Sequence, residues 1–223
     1  MDIEIVAIIG GTGKEGKGLA HRLAKAGHQV IIGSRDILKA QLVAGELNNL
    51  HKYNFAIIGD ENAQAIYASE IAILTVPYAF HATTLEVYKN ILAGKILIDA
   101  TVPIVPPKVT TISMPIEGSA SLQAIKILGD RVTVACAFQN VSYELLMGEV
   151  KIDCDILVCC SDKVVRARII KLVNEMGMTP RDAGSIENSI IPEGLTSILI
   201  GINKQYGIHH AGIKITGIPD NDL

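Results

Sequence analysis

The chain has no tryptophan and only 3 phenylalanines and 6 tyrosines, so aromatic residues fill 4% of its 223 positions. An aromatic-centred core is thereby excluded. With 49% apolar residues, the interior must be built from Ile, Leu, Val and Ala, the composition of buried parallel strands covered by helices. No basic tract occurs and the formal charge is −3, which argues against a nucleic-acid partner. No uncharged run reaches the roughly 18–20 residues of a membrane span. One such run, from Ile71 to Leu85, is broken by Pro77 and His81, so no membrane association is expected. The opening Met1-Asp2-Ile3-Glu4 lacks the basic leader of a signal peptide. None of the four cysteines, Cys136, Cys154, Cys159 and Cys160, forms a Cys-x-x-Cys pair. They read as small buried hydrophobes of a reducing compartment, and the expected location is the cytoplasm. Internal repeats and low-complexity segments are also missing.

What the chain does have is alternation. Strand-like runs at Ile3–Gly10, Gln29–Gly33, Phe55–Gly59, Ile71–Val76 and Ile96–Asp99 alternate with helical patterns at Lys17–Ala26, Asp36–Leu50, Glu61–Ala68 and Ala79–Leu92. Leu38, Leu42, Ala44 and Leu47 read as one side of the second helix. Such alternation implies right-handed βαβ units and a parallel sheet. Pro103, Pro106, Pro107 and Pro115 mark Val102–Pro115 as a loop over the carboxyl ends of the strands. A helix at Ser119–Ile127, strands at Arg131–Ala137 and Asp155–Cys160, and a helix from Ser161-Asp162 to Met176 follow. Leu195–Tyr206 is helical but apolar on most sides, so it must be covered, by a partner subunit or around a substrate cavity. The expected fold class is α/β: a Rossmann-type doubly wound parallel sheet with a small α+β C-terminal part. Residues 1–145 would form the dinucleotide-binding domain and residues 146–223 a substrate and dimerisation part.

The central motif is Gly11-Thr12-Gly13-Lys14-Glu15-Gly16. It follows a strand and opens a helix, the context that makes a Gly-x-Gly-x-x-Gly match specific. Gly11 permits the tight turn, Gly13 lets a pyrophosphate approach the backbone, and Gly16 lets helix and strand pack closely. Two look-alikes fail. A P-loop needs a hydroxyl residue where Gly18 stands, and no tyrosine has the lysine four positions later that a short-chain dehydrogenase uses. At the end of the second strand an NAD site wants an acid for the ribose diol. Gly33-Ser34-Arg35 stands there instead. Arg35 offers a planar fork to a 2′-phosphate, Ser34 a hydroxyl and Lys39 a second charge, so NADP is expected. Asp36 is read as the cap of the next helix.

With these residues in hand, the chain resembles the NADPH-dependent reductases of the deazaflavin coenzyme F-420. The resemblance covers essentially the whole chain. It is carried by Gly10-Gly11-Thr12-Gly13 with Gly16-Lys17-Gly18, Gly33-Ser34-Arg35, Ile73-Leu74-Thr75-Val76-Pro77, Ala137-Phe138-Gln139-Asn140-Val141-Ser142, Asp182-Ala183-Gly184 and Glu193-Gly194-Leu195-Thr196. It implies hydride transfer between NADP(H) and C5 of coenzyme F-420, in a homodimer. Carried over by position, Thr12 to Glu15 would wrap the pyrophosphate and Ser34, Arg35 and Lys39 would hold the 2′-phosphate. Thr75, Val76, Pro77 and Tyr78, with Thr101 and Val102, would edge the nicotinamide half. Gln139, Asn140, Val141, Ser142 and Tyr143 would lie where the two rings meet. Gln139-Asn140-Val141-Ser142 departs from the archaeal His-Thr-Ile-Pro and resembles a bacterial branch.

Hydride transfer between two bound rings asks the protein mainly for distance and stacking. No Cys-His dyad, His-Glu-x-x-His motif or paired carboxylate stands out, so no catalytic acid, base or metal ligand is assigned. His81 is read as a helix-face residue that could meet the cofactor, and His209-His210 as a polar loop. Lys204 and Lys214 could attract the polyanionic tail of coenzyme F-420. Alternatives on the same scaffold are an NADPH-dependent flavin, ferric, imine or ketone reductase, or a non-enzymatic NADP sensor.

Overall fold

The computed structural model describes residues 2–218. Eight strands form a single sheet in the order β3-β2-β1-β4-β5-β6-β7-β8. They are β1 (Ile5–Ile9), β2 (Gln29–Ser34), β3 (Ile58–Glu61), β4 (Ile71–Leu74), β5 (Ile96–Asp99), β6 (Thr133–Cys136), β7 (Asp155–Cys160) and β8 (Thr179–Asp182). The first six are parallel, in the doubly wound order that reverses between β1 and β4. β7 then runs antiparallel to β6, pairing Ala135 with Cys160 and Cys136 with Cys159, and β8 lies parallel to β7. The C-terminal part therefore extends the same sheet.

Successive strand residues feed opposite faces. Ile8, Ile71 and Ile73 join one core layer; Ile9, Ala72 and Leu74 join the other. The first layer is covered by α1 (Lys14–Lys25), α2 (Ile37–Leu50) and α7 (Lys163–Glu175), and the second by α4 (His81–Tyr88) and α5 (Ala120–Leu128). α3 (Asn62–Tyr67), α6 (Tyr143–Met147) and α8 (Ile190–Tyr206) complete the set. Asp36 caps α2, its Oδ1 accepting from the amides of Leu38 at 3.0 Å and Lys39 at 3.2 Å. The buried face of α2 is Ala40, Val43, Ala44 and Leu47. Leu38 and Leu42 are instead 73% and 63% exposed, because the small side chains at 40 and 44 let the helix sit close to the sheet.

Sequence reading missed two elements. α6 is one short turn whose Leu146 packs over Gly18 of α1. The buried Arg22 side chain donates to the carbonyls of Leu146 at 2.9 Å, Leu145 at 2.8 Å and Gly148 at 2.7 Å, clamping α6 onto α1. β8, with the sequence Thr-Pro-Arg-Asp, lies at the sheet edge, where a proline amide is not needed. Among the described residues, no helix is long and apolar enough to cross a membrane. All four cysteines are free and buried.

Candidate functional site

The crevice over the carboxyl ends of β1 and β4 is where a doubly wound sheet takes its ligand. α1 begins at Lys14, three residues earlier than its apolar pattern suggests, so the glycine turn leads straight into the helix. Gly11 N–H donates to the carbonyls of Ile8 at 3.1 Å and Gly33 at 2.9 Å, tying the turn to the ends of β1 and β2. A Cβ at position 16 would lie 2.5 Å from Gly11 Cα, so only glycine fits there. A Cβ at position 13 would meet nothing nearer than Gly10 O, at 3.8 Å. Gly16 therefore closes the turn on itself, while Gly13 faces open space. Gly13 is also the N-cap of α1 and gives it no side-chain cap. The first-turn amides, which have no partner within a helix, are left to an anion, with the helix dipole behind them. This cradle fits a diphosphate.

Glu15 is the one acid in that first turn. Its Oε1 is buried without a partner, and burial pushes its carboxyl up to about 8. A carboxyl that keeps its proton at neutral pH does not repel a neighbouring diphosphate.

Ser34 is buried at the end of β2 and its Oγ accepts from Asp36 N–H at 3.1 Å, which leaves the hydroxyl proton available. Arg35 and Lys39 are exposed. The Arg35 guanidinium lies 5.6 Å from the centre of the Phe80 ring, across the crevice in the 3₁₀ turn Tyr78–Phe80 that precedes α4. Thr75, just past β4, donates both its amide and its hydroxyl to Ile9 O at 3.0 Å. Val76 and Tyr78 are half-buried, and Pro77 is exposed.

Beneath this edge runs a buried polar chain. His81 is fully buried, so it is neither a helix-face histidine nor a residue open to a cofactor phosphate. Its Nε2 lies 2.7 Å from Asp99 Oδ2 and its Nδ1 3.1 Å from Gln123 Oε1. Burial opposes its charge, but the bonds to Asp99 and Gln123 raise its pKa overall. Asp99 Oδ1 accepts from Thr101 N–H at 2.9 Å. Thr101 Oγ1 is buried without a partner, and Val102 is half-buried.

The backbone turns sharply after β6, where Phe138 adopts φ 81°. Gln139 Nε2 donates to Asp99 O at 2.5 Å, and Asn140 Nδ2 donates to Asp155 O at 2.6 Å. Both amide nitrogens are thus tied within the chain, whereas Gln139 Oε1 and Asn140 Oδ1 are buried without partners. Val141 is buried, and Ser142 caps α6 by accepting from Glu144 N–H at 3.4 Å. Tyr143 Oη accepts from Lys14 Nζ at 3.0 Å, and that ammonium lies 4.7 Å from the ring centre. This contact brings the glycine turn and the 139–143 stretch together over the crevice.

Sequence reading also missed the role of Glu193 on α8. Its carboxylate accepts from Ala120 N–H at 2.6 Å, Ser121 N–H at 3.1 Å and Ser121 Oγ at 2.8 Å, at the start of α5. Burial and the nearby Asp99 carboxylate push its pKa up to about 7 against those donors. Thr196, one turn on, donates to Gln139 O at 2.7 Å. The only sequence signal for either was the Glu193-Gly194-Leu195-Thr196 run. His209 and His210 are exposed but lie beside the start of α6: Ser142 Oγ donates to His209 O at 3.4 Å, and His210 Nδ1 is 3.8 Å from Glu144 Oε2. Lys204 is exposed, and Lys214 pairs with Asp153 at 2.9 Å.

Residues 5–103 match the family model of coenzyme F-420-dependent NADP oxidoreductases. The F-420-dependent NADP reductase of Methanothermobacter marburgensis is 39% identical, with 96% of this chain and 99% of the relative covered. Its namesake in Methanocaldococcus jannaschii is 37% identical, with 96% and 98% covered. A crystal structure of a candidate F-420-dependent NADP reductase from Arthrobacter superposes with a TM-score of 0.80 over 96% of this chain and 99% of that one. At 23% identity it bears on the fold alone.

Proposed function

The chain belongs to the coenzyme F-420-dependent NADP oxidoreductase family, and from that premise we infer how its residues serve the reaction. The protein is an oxidoreductase that transfers a hydride between NADP(H) and coenzyme F-420. When bound, the two cofactors supply the redox chemistry themselves. The observation that carries the reading is the uncapped glycine turn opening onto the switch-point crevice, in a chain similar to these reductases along nearly its whole length.

The chain's own work is to bind and align. Thr12 to Glu15 wrap the diphosphate, the glycine turn together with the first-turn amides of α1, and Gly13 keeps its approach clear. Ser34, Arg35 and Lys39 hold the 2′-phosphate, with Arg35 kept at the crevice by Phe80. Thr75, Val76, Pro77 and Tyr78 edge the nicotinamide half together with Thr101 and Val102. Gln139, Asn140, Val141, Ser142 and Tyr143 form the acceptor side. Gln139 and Asn140 act there through the carbonyl oxygens left without partners. Alignment of two rings at contact distance removes about 7–11 kcal/mol of barrier without a catalytic side chain.

The assembly is a homodimer built on α8. Ile191 and Ile198 are exposed and Leu195 and Ile202 half-buried. Their spacing places them on one helical stripe, and such a stripe supports cover by a second copy. Four free, buried cysteines support a reducing compartment, the cytoplasm. The test is NADPH oxidation by the purified chain, followed optically with coenzyme F-420 and, separately, with flavin mononucleotide. Turnover with the first alone is expected; turnover with the flavin only would overturn the acceptor.

A further inference from the structure

In the C-terminal half of α1, two turns along from the glycine turn, three side chains distant in sequence converge. His21 lies in α1, His51 just after α2, and Glu149 two residues beyond α6. One ligand atom from each lies within 4.8 Å of the other two. His21 is 1% exposed, and its Nε2 is buried with no hydrogen-bond partner, 4.0 Å from Glu149 Oε1. A buried imidazole nitrogen without a partner is costly, and here it lies close to an acid and a second imidazole.

We propose that His21, His51 and Glu149 form a binding site for a zinc-class divalent metal ion that fastens the segment after α6 to α1 and α2. Two imidazoles and one carboxylate are a zinc donor set, with water as the fourth ligand. The remaining nitrogen of His21 is already oriented: Nδ1 lies 2.9 Å from Tyr53 Oη, the outer contact that ligating histidines use. The rings of His21 and His51 have centroids 4.3 Å apart. His51 is half-exposed and Glu149 exposed, so both can close the last ångström onto an ion. Two cations oppose the ion and set the site's strength. Lys25 pairs with Glu149 Oε2, leaving Oε1 to ligate. Arg22 is occupied by the carbonyls of Leu145, Leu146 and Gly148. The site thus lies on the elements that hold α6, whose Tyr143 meets Lys14 at the crevice.

The test uses the full chain stripped with chelator, titrated with zinc against a competing dye, and with cobalt as an optical probe. One zinc per chain is expected, with four-coordinate cobalt bands and no thiolate charge transfer. His51→Gln and Glu149→Gln should each weaken zinc at least about 100-fold, and Tyr53→Phe about tenfold. A zinc-dependent rise in melting temperature should vanish in the same variants. His209→Gln with His210→Gln should change nothing. Less than one zinc per chain, unchanged affinity in His51→Gln and Glu149→Gln, or loss of zinc with the His209 and His210 changes would overturn the site.

Discussion

Gly16→Ala and Gly13→Ala separate the two functions of the glycine turn. At position 16 the added methyl would lie 2.5 Å from Gly11 Cα, 2.7 Å from Gly11 O and 2.8 Å from Gly11 C. These are backbone atoms of a turn pinned to β1 and β2 by the Gly11 amide, so α1 must move. Overpacking of this kind costs about 1–3 kcal/mol, and alanine returns up to about 1 kcal/mol of helix propensity. A net loss of about 1–2 kcal/mol lowers Tm by roughly 2–8 °C in a chain of this size. At position 13 the backbone has φ −76° and ψ 172°, which alanine adopts freely, and the nearest atom is 3.8 Å away. Stability should therefore change by no more than about 0.5 kcal/mol. The methyl would stand where the diphosphate approaches, so NADPH affinity should fall at least about tenfold, or 1.4 kcal/mol. Scanning calorimetry and NADPH fluorescence titration read the two effects. If Gly13→Ala bound NADPH like the parent, or melted as low as Gly16→Ala, the division of labour would be wrong.

Arg35→Ala removes a charge-assisted fork worth about 1.5–3 kcal/mol to a phosphate. Steady-state kinetics should show kcat/KM for NADPH down roughly 10- to 150-fold and that for NADH nearly unchanged; equal losses would refute the phosphate contact. Glu15 keeps its proton up to about pH 8, so NADPH affinity should weaken as pH rises past 8 and stay level in Glu15→Gln; parallel profiles would exclude the carboxyl from the diphosphate. Glu193 is raised from its ordinary 4.5 to about 7. Its protonated form thus stabilises the fold fully below pH 4.5, and that contribution is lost as pH rises to 7. The amount is on the order of 3 kcal/mol. Urea unfolding of parent minus Glu193→Gln should show that slope, and a difference flat between pH 4.5 and 7 would mean the carboxyl is ionised throughout.

The parallel half of the sheet was legible because each βαβ unit carries its own instructions. Buried strands such as Ile5–Ile9 and Ile71–Leu74 are continuous apolar runs, and Asp36 and Asp162 cap the helices they precede. β8 was not legible, since Thr-Pro-Arg-Asp becomes a strand only by pairing with β7. α6 was not legible either, since five residues make no periodic pattern and its helix is held by Arg22 from 124 positions away. Leu38 and Leu42 misled for the opposite reason: their spacing is helical, but the packed stripe is Ala40, Val43, Ala44 and Leu47. His21, His51 and Glu149 lie too far apart in sequence for any spacing rule to join them.

The donor and acceptor halves of the crevice differ in kind. On the proposed reading the dinucleotide half rests on two short contiguous stretches, 11–16 and 34–39, whose backbone amides and one guanidinium would do the recognising. Its chemistry can be read before any packing is known. The acceptor half is made by packing. Phe138 holds φ 81°, a conformation that costs about 1–3 kcal/mol for a non-glycine residue and persists only where its surroundings impose it. Here they do. The Phe138 ring is buried, Gln139 is tied to Asp99 on β5 and to Thr196 on α8, and Asn140 is tied to Asp155 on β7. Three distant elements thus set the path of residues 138–141, so the shape of the proposed acceptor pocket would belong to the whole C-terminal half of the sheet. A change at Gln139 or Asn140 would then alter strand ties and the proposed pocket together, whereas a change at Arg35, exposed and touching Phe80, would leave the strand ties alone. Variation in the acceptor can accordingly arise on this scaffold while the dinucleotide turn stays fixed.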